Sequence, residues 1–403
     1  MATLHPLHPL RYQTDVVGPL DGLVAPPYDI VDAAERAQLQ ASSPFNAVHL
    51  EMADPPYERV GELIASWVAS GALAVSERPG VVAWTQSFTL EGGAQRTRRV
   101  ILGAVRAEPY ETRQVRPHER THAGPKEDRL RLLYGAGHQI SPVYGLYPDP
   151  EGQVWQAVAP SGEAQAQFVG SDGTLNRLWW IDDPAAVAAA ATLMESRWIL
   201  IADGHHRYET AVRYSQERRK AGAGAGPHEF VMMGLTAIED PGLVVLPTHR
   251  VLSADPGDLS DRFTVTPMAD LAELTDRLAQ TPVDAPAFGL VTPAGAAVLT
   301  CNAPDVPSPA AHLDVAVLEE LVFRRTFGRD QAELSHDGVL TYVKDTAEAY
   351  ELGASGSAAA VFILRDMPKD GVIAVAEAGE TMPQKSTFFF PKLPTGVAFH
   401  PLT

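Results

Sequence analysis

An apolar run, Trp198-Ile199-Leu200-Ile201-Ala202, stops abruptly at Asp203-Gly204-His205-His206-Arg207, and a helical pattern follows to about Lys220. No other feature constrains the chain as much, because it predicts a buried strand that ends against a helix N-terminus. Glycine lets backbone approach a ligand closely. The first helical turn offers unpaired N–H groups and a positive dipole end. Two histidines and an arginine are a poor choice for capping alone, since cations are disfavoured at that end. An anionic ligand removes the conflict. The segment therefore reads as a phosphate site with Gly204, His205, His206 and Arg207 as donors, the arginine gripping phosphate through two parallel bonds. Asp203 is acceptor-only and suits Mg²⁺ or the orientation of a hydroxyl. The plain alternative is an N-cap aspartate beside two surface histidines.

Composition narrows the partners. The chain has 403 residues, 45% hydrophobic and 20% charged, which is globular. Lys and Arg total 32 against 50 Asp and Glu, a net charge of −18. Such a field repels a phosphate backbone, so no nucleic-acid partner is expected. One cysteine, Cys301, excludes an intrachain disulfide and a cysteine-based zinc site. The N-terminus shows no apolar signal-peptide core, and no run of about 18 apolar residues occurs. The expectation is a soluble, cytoplasmic chain with no membrane partner.

The pattern along the chain is mixed α/β. Asp29 or Asp32 caps a helix to about Leu39, after the extended Val24-Ala25-Pro26-Pro27. Glu58 to Ser70 places Val60, Leu63, Ile64, Trp67 and Val68 on one helical face, with Gly71 as C-cap. Strands over 81–90 and 98–107 form a hairpin through residues 91–95. A polar stretch, 113–131, precedes a short helix begun by Leu130, and Ser141–Tyr147 reads as a buried strand. A hairpin region, a helix over 184–195 and the strand–turn–helix follow; 221–226 is a loop. Beyond 251, helices are expected at 269–280, 313–323, 345–352 and 369–377, with strands near 286–291, 297–301 and 359–364. Three segments result: 1–107, a central 108–250 and a C-terminal 251–403.

Other polar clusters stand beside the turn. Arg116-Pro117-His118-Glu119-Arg120-Thr121-His122 contains the zinc-protease string H-E-x-x-H, but Pro117 and Ala123-Gly124-Pro125 deny it a sustained helix. It reads instead as a polar loop supplying Glu119 as general base, with His118, Arg116, Arg120 and Lys126 around an anionic substrate, or as a solvated charged loop. Pro383-Gln384-Lys385-Ser386-Thr387 lacks the glycines of a P-loop, yet Lys385, Ser386 and Thr387 suit phosphate. Leu246-Pro247-Thr248-His249-Arg250 is a weaker cluster. Tyr28 and Asp29 either line a pocket or form a rigid turn. Dinucleotide, nucleophile-elbow and protein-kinase signatures are absent.

Taken in order, Ala25–Asp29, His118–Thr121, Lys126–Arg129, Ser141-Pro142, Asp203–Ala211, Leu246–Arg250 and Met382–Thr387 resemble the bacterial and archaeal family called domain of unknown function 1015. The middle third also resembles the ParB/sulfiredoxin-like superfamily, which includes free-serine kinases using ATP or ADP. That resemblance implies a ParB-like central domain in which Glu119 activates a hydroxyl. Asp203 would assist or hold Mg²⁺, and the His205–Arg207 turn would bind phosphate. It implies a nucleotide-dependent phosphotransferase for a small hydroxylated metabolite, serine first among candidates, with homodimerisation open. Two rivals stand beside it: a phosphatase or nucleotide hydrolase at the same site, and a non-catalytic nucleotide-binding regulator.

Overall fold

The computed structural model describes residues 3–90, 93–119, 123–383 and 385–403. The fold is mixed α/β, and the chain divides into two compact units. The first comprises Met1–Pro117, Thr121–Leu243 and Pro391–Thr403; the second comprises His118–Arg120 and Val244–Phe390.

The first unit is built on a nine-stranded mixed sheet. Its order runs Val115–Arg116, Ile199–Asp203, Val143–Tyr147, Phe230–Ala237, Gln95–Arg106, Val81–Thr89, Leu175–Ile181, Ala166–Val169, with Leu4–His5 also on Gln95–Arg106. The expected hairpin is present, in register from Val82↔Leu102 to Thr89↔Gln95; Glu91 and Gly92 lie outside the described residues. Strands expected in an N-terminal segment and strands expected in a central domain thus share one sheet. The tail belongs here too, although it was read with the C-terminal segment. Phe399 is fully buried and bonds in an isolated bridge to Leu10, and Leu393 packs where Gly234 has no side chain. Burial of this apolar tail stabilises it against the first unit.

Helices follow the sequence patterns closely. Asp32 caps Ala33–Ser42 by accepting from the Glu35 N–H at 2.8 Å. Pro184–Glu195 is opened by Asp183 and its proline. Glu58–Ala69 buries Val60, Ile64 and Trp67, but Val68 is 41% exposed, because the buried stripe is narrower than the apolar one. The helix expected from Leu130 begins at Ala123, Pro125 falling in the first turn, where a missing N–H breaks no helical bond. The region after Tyr147 starts with a helix, Gln153–Ala157, before its two strands.

The second unit holds a six-stranded antiparallel sheet, ordered Thr264–Met268, Gly295–Thr300, Ala287–Thr292, Ala360–Ile363, His249–Leu252, Leu340–Val343. Leu274, Leu278 and Ala349, from Leu271–Gln280 and Thr346–Ala354, pack with Val298 and Val361 in its core. The helix expected over 313–323 is α only over Asp314–Leu318 and continues as a π-helix, Glu319–Phe327. Arg262 inserts Nη1 between the Leu321 carbonyl (2.8 Å) and Thr326 Oγ1 (3.0 Å), the kind of intrusion that widens a helical ladder. Among the described residues no helix is long and apolar enough to cross a membrane.

Candidate functional site

In the first unit the strand Ile199–Asp203 pairs antiparallel with Val143–Tyr147, and the register slips between Ile201 and Asp203. A bulge of this kind re-aims the side chain that follows it. Gly204 then turns the chain at φ 87°, ψ 30°, and the helix His205–Lys220 begins. Glycine is required twice over. The conformation is left-handed, and a Cβ here would lie 3.0 Å from Arg207 Nε. Gly204→Ala is expected to destabilise the chain by about 1–2 kcal/mol from the backbone alone, measurable by urea unfolding; an unchanged midpoint would contradict this account.

Asp203 sits between two cations. Its Oδ1 pairs with Lys392 Nζ, and its Oδ2 accepts from Arg207 Nη2 at 2.6 Å. Burial disfavours the charged carboxylate, but Lys392 and Arg207 outweigh it and hold the group well below the usual carboxylate range. Arg207 also donates through Nη1 to the Pro142 carbonyl at 2.5 Å, while its buried Nε has no partner among the described residues. Nη1 and Nη2 of Arg207, expected to grip phosphate, are engaged here with Pro142 and Asp203. Asp203 itself settles the conflict of an arginine at a helix start. His205 is buried and His206 half-buried.

The other residues expected in the first unit are placed as follows. The Arg129 guanidinium lies 4.6 Å from the Tyr28 ring centre and donates to Asp128 Oδ2 (2.8 Å) and the Glu51 carbonyl (2.9 Å). Burial pushes the Tyr28 hydroxyl upward. The Asp29 and Glu51 charges both act on Arg207, so the Pro-Pro-Tyr-Asp turn belongs to this cluster. Lys126 is ion-paired with Glu209. Arg116 packs on the Trp198 ring at 4.5 Å and donates to the Arg113 carbonyl. Lys392 and Glu51 were missed. Lys392 is brought in only by the returning tail, and Glu51 ends a short helix, Val48–Glu51, with no local signal of chemistry.

In the second unit, His118 and Glu119 meet the 382–387 segment. The Met382 N–H donates to the His118 carbonyl at 2.8 Å, in a bridge that pairs Glu119 with Met382. His118 is fully buried, its Nε2 2.8 Å from Thr387 Oγ1, and that hydroxyl donates to Glu119 Oε1 at 3.2 Å. With the proton on Nε2, this is a relay from imidazole through hydroxyl to carboxylate. Arg250 joins from the adjacent cluster, bonding Gln331 Oε1 and the Lys385 carbonyl, both at 3.1 Å. Its burial lowers the guanidinium to about 10, opposed by Tyr342 and then Glu119. Lys385 is exposed at φ 55°, an uncommon state for a non-glycine residue, and Ser386 donates to the Pro383 carbonyl at 2.6 Å. Arg120, Thr121, His122 and Gln384 lie outside the described residues.

Magnesium does not fit Asp203 as it stands, because each carboxylate oxygen already serves a cation. No group of three His, Cys, Asp or Glu side chains gathers into a metal set among the described residues.

Residues 4–316 match the family described as "Protein of unknown function (DUF1015)". The chain belongs to this family. Among curated proteins no sequence match is found. By structure the DUF1015 chain is similar to a free serine kinase in complex with AMP (16% identity, 72% of this chain and 89% of that one, TM-score 0.40). It is similar also to a mutant free serine kinase in complex with ADP (15%, 72% and 89%, 0.40). A third likeness is to a conserved hypothetical protein from Pyrococcus furiosus (15%, 71% and 91%, 0.37).

Proposed function

We propose that this protein is a nucleotide-dependent phosphotransferase acting on a small hydroxylated metabolite, with free serine the first acceptor to try. One observation carries the reading: the start of the 16-residue helix His205–Lys220 is capped by a glycine, which has no side chain to accept its N–H groups, and Lys392 and Arg207 flank it. An anion of phosphate size suits such a place. Phosphate arriving there competes with Asp203 for Lys392, and the released carboxylate is then available to orient a hydroxyl. His205 and His206 add donors in the first turn. In the second unit, Lys385, Ser386 and Thr387 are assigned to phosphate, and Glu119 to the acceptor hydroxyl.

The balance is that of a phosphoryl transfer. The acceptor O–H bond breaks and its proton passes to Glu119. A new O–P bond forms as the terminal P–O bond of ATP or ADP breaks, and the shortened nucleotide leaves. Positioning and electrostatics supply most of the rate in such reactions.

The test is purified protein with ATP or ADP, Mg²⁺ in the buffer, and a panel of hydroxylated metabolites including serine, read by phosphorus NMR. A phosphorylated acceptor is expected. Phosphate release without an acceptor would make the protein a hydrolase, and tight nucleotide binding without turnover would make it a regulator.

A further inference from the structure

The first unit contains a partly open cavity of about 50 Å³ that shares only Arg207 with the phosphate site proposed above. Its polar wall is formed by Glu51, Ser141, Arg129 and Arg207, and its apolar wall includes Leu133 and Val143. Glu51 is only 3% exposed, yet its carboxylate is incompletely served. Oε1 accepts from Ser141 Oγ at 3.1 Å and lies 3.6 Å from Arg129 Nη1. Oε2 accepts no hydrogen bond among the described residues.

Arg129 pairs with Oε1 through Nη1 at 3.6 Å, but neither guanidinium gives Oε2 a hydrogen bond. Arg129 is committed to Asp128 through Nε and Nη2, and Arg207 to Asp203. His138, also on the wall, is lowered by burial and stays neutral near pH 7. Burial pushes the Glu51 carboxyl upward despite Arg129 and Arg207. A buried carboxylate oxygen without a hydrogen bond calls for a donor, and a charged donor serves it best. The apolar wall beside it accepts a short alkyl chain.

We propose that this cavity binds a small primary amine, its ammonium donating to Glu51 Oε2 and its alkyl part lying against Leu133 and Val143. An ammonium brings three donors and a positive charge to one point, and the ligand's apolar end loses water on entry. A carboxylate of the same size would face Glu51 itself. An alcohol would offer a donor without the charge.

The test uses the full chain without nucleotide, so its failure is separate from any failure of the phosphotransferase reading. Thermal unfolding is followed with n-propylamine, propionate and 1-propanol at equal concentrations. The amine is expected to raise the melting temperature by about 2 °C or more when saturating, the other two by less than half of that. Glu51→Gln, which keeps the shape and Ser141's acceptor, is expected to abolish the amine shift. No shift with amine, an equal or larger shift with propionate or propanol, or an undiminished amine shift in the variant each overturns the proposal. The ligand comparison on the unmodified chain decides the matter even if the variant does not fold.

Discussion

Glu119→Gln is expected to lower phosphoryl transfer by about 10²–10⁴-fold, the usual contribution of a positioned general base, with nucleotide affinity changed less than about threefold. Glutamine preserves the length of the side chain and an oxygen for the Thr387 hydroxyl, which now donates to Glu119 Oε1 at 3.2 Å. The bridge between residue 119 and Met382 is a backbone contact and survives the change. What disappears is the negative charge and with it the capacity to take a proton. Single-turnover transfer and nucleotide titration, run on the same preparation, separate the two effects. Normal turnover in the variant would remove Glu119 from the reaction. Thr387→Val supplies a graded companion: it deletes the hydroxyl between His118 and Glu119, and a smaller loss is expected because the carboxylate remains.

Asp203→Ala is expected to cost about 3–5 kcal/mol, the range for removing one partner of a buried ion pair. The side chain of Asp203 is 14% exposed, and those of Lys392 and Arg207 are 12% and 10%. Its loss leaves two cations against each other with little water to screen them. Chemical denaturation should show a lower midpoint with an unchanged slope, and a shift under about 1 kcal/mol would mean that water reaches this cluster. The pH dependence follows from the direction of the shift. Asp203 is held below its unfolded value, so its contribution is complete above the unfolded carboxylate range, about pH 4, and is lost as pH falls beneath it. The variant should therefore show weaker acid destabilisation than the parent below about pH 4. Near neutrality the stability difference between them should be flat with pH.

Much of the local structure was legible in the residue order because it depends on short-range physics. The Pro184–Glu195 helix needed only Asp183, Pro184 and a run of alanines. The strand ending at Asp203 was readable because four successive side chains are apolar and buried, and Gly204 because no other residue turns so sharply without strain. The helix start beside Arg207 was likewise visible, including the oddity of a cation there. The resolution of that oddity was not. It depends on Lys392, separated from Asp203 by most of the second unit in sequence and returned by a tail whose Leu393 and Phe399 are buried in the first unit. Glu51 was hidden for a related reason, since a single glutamate after Val48-His49-Leu50 looks like any helix end until Ser141 and Arg129 are found against it.

Residue order alone, then, determined most of the elements and the strand-to-helix turn, because periodicity, capping and glycine conformations act within a few residues. Tertiary structure alone decided which charges neighbour which: that Asp203 is held by Lys392, that Glu119 leans on Thr387, and that Glu51 meets Ser141 and Arg129 on one oxygen only. Electrostatic energies fall with distance in space, and distance in space is set only when the chain has packed.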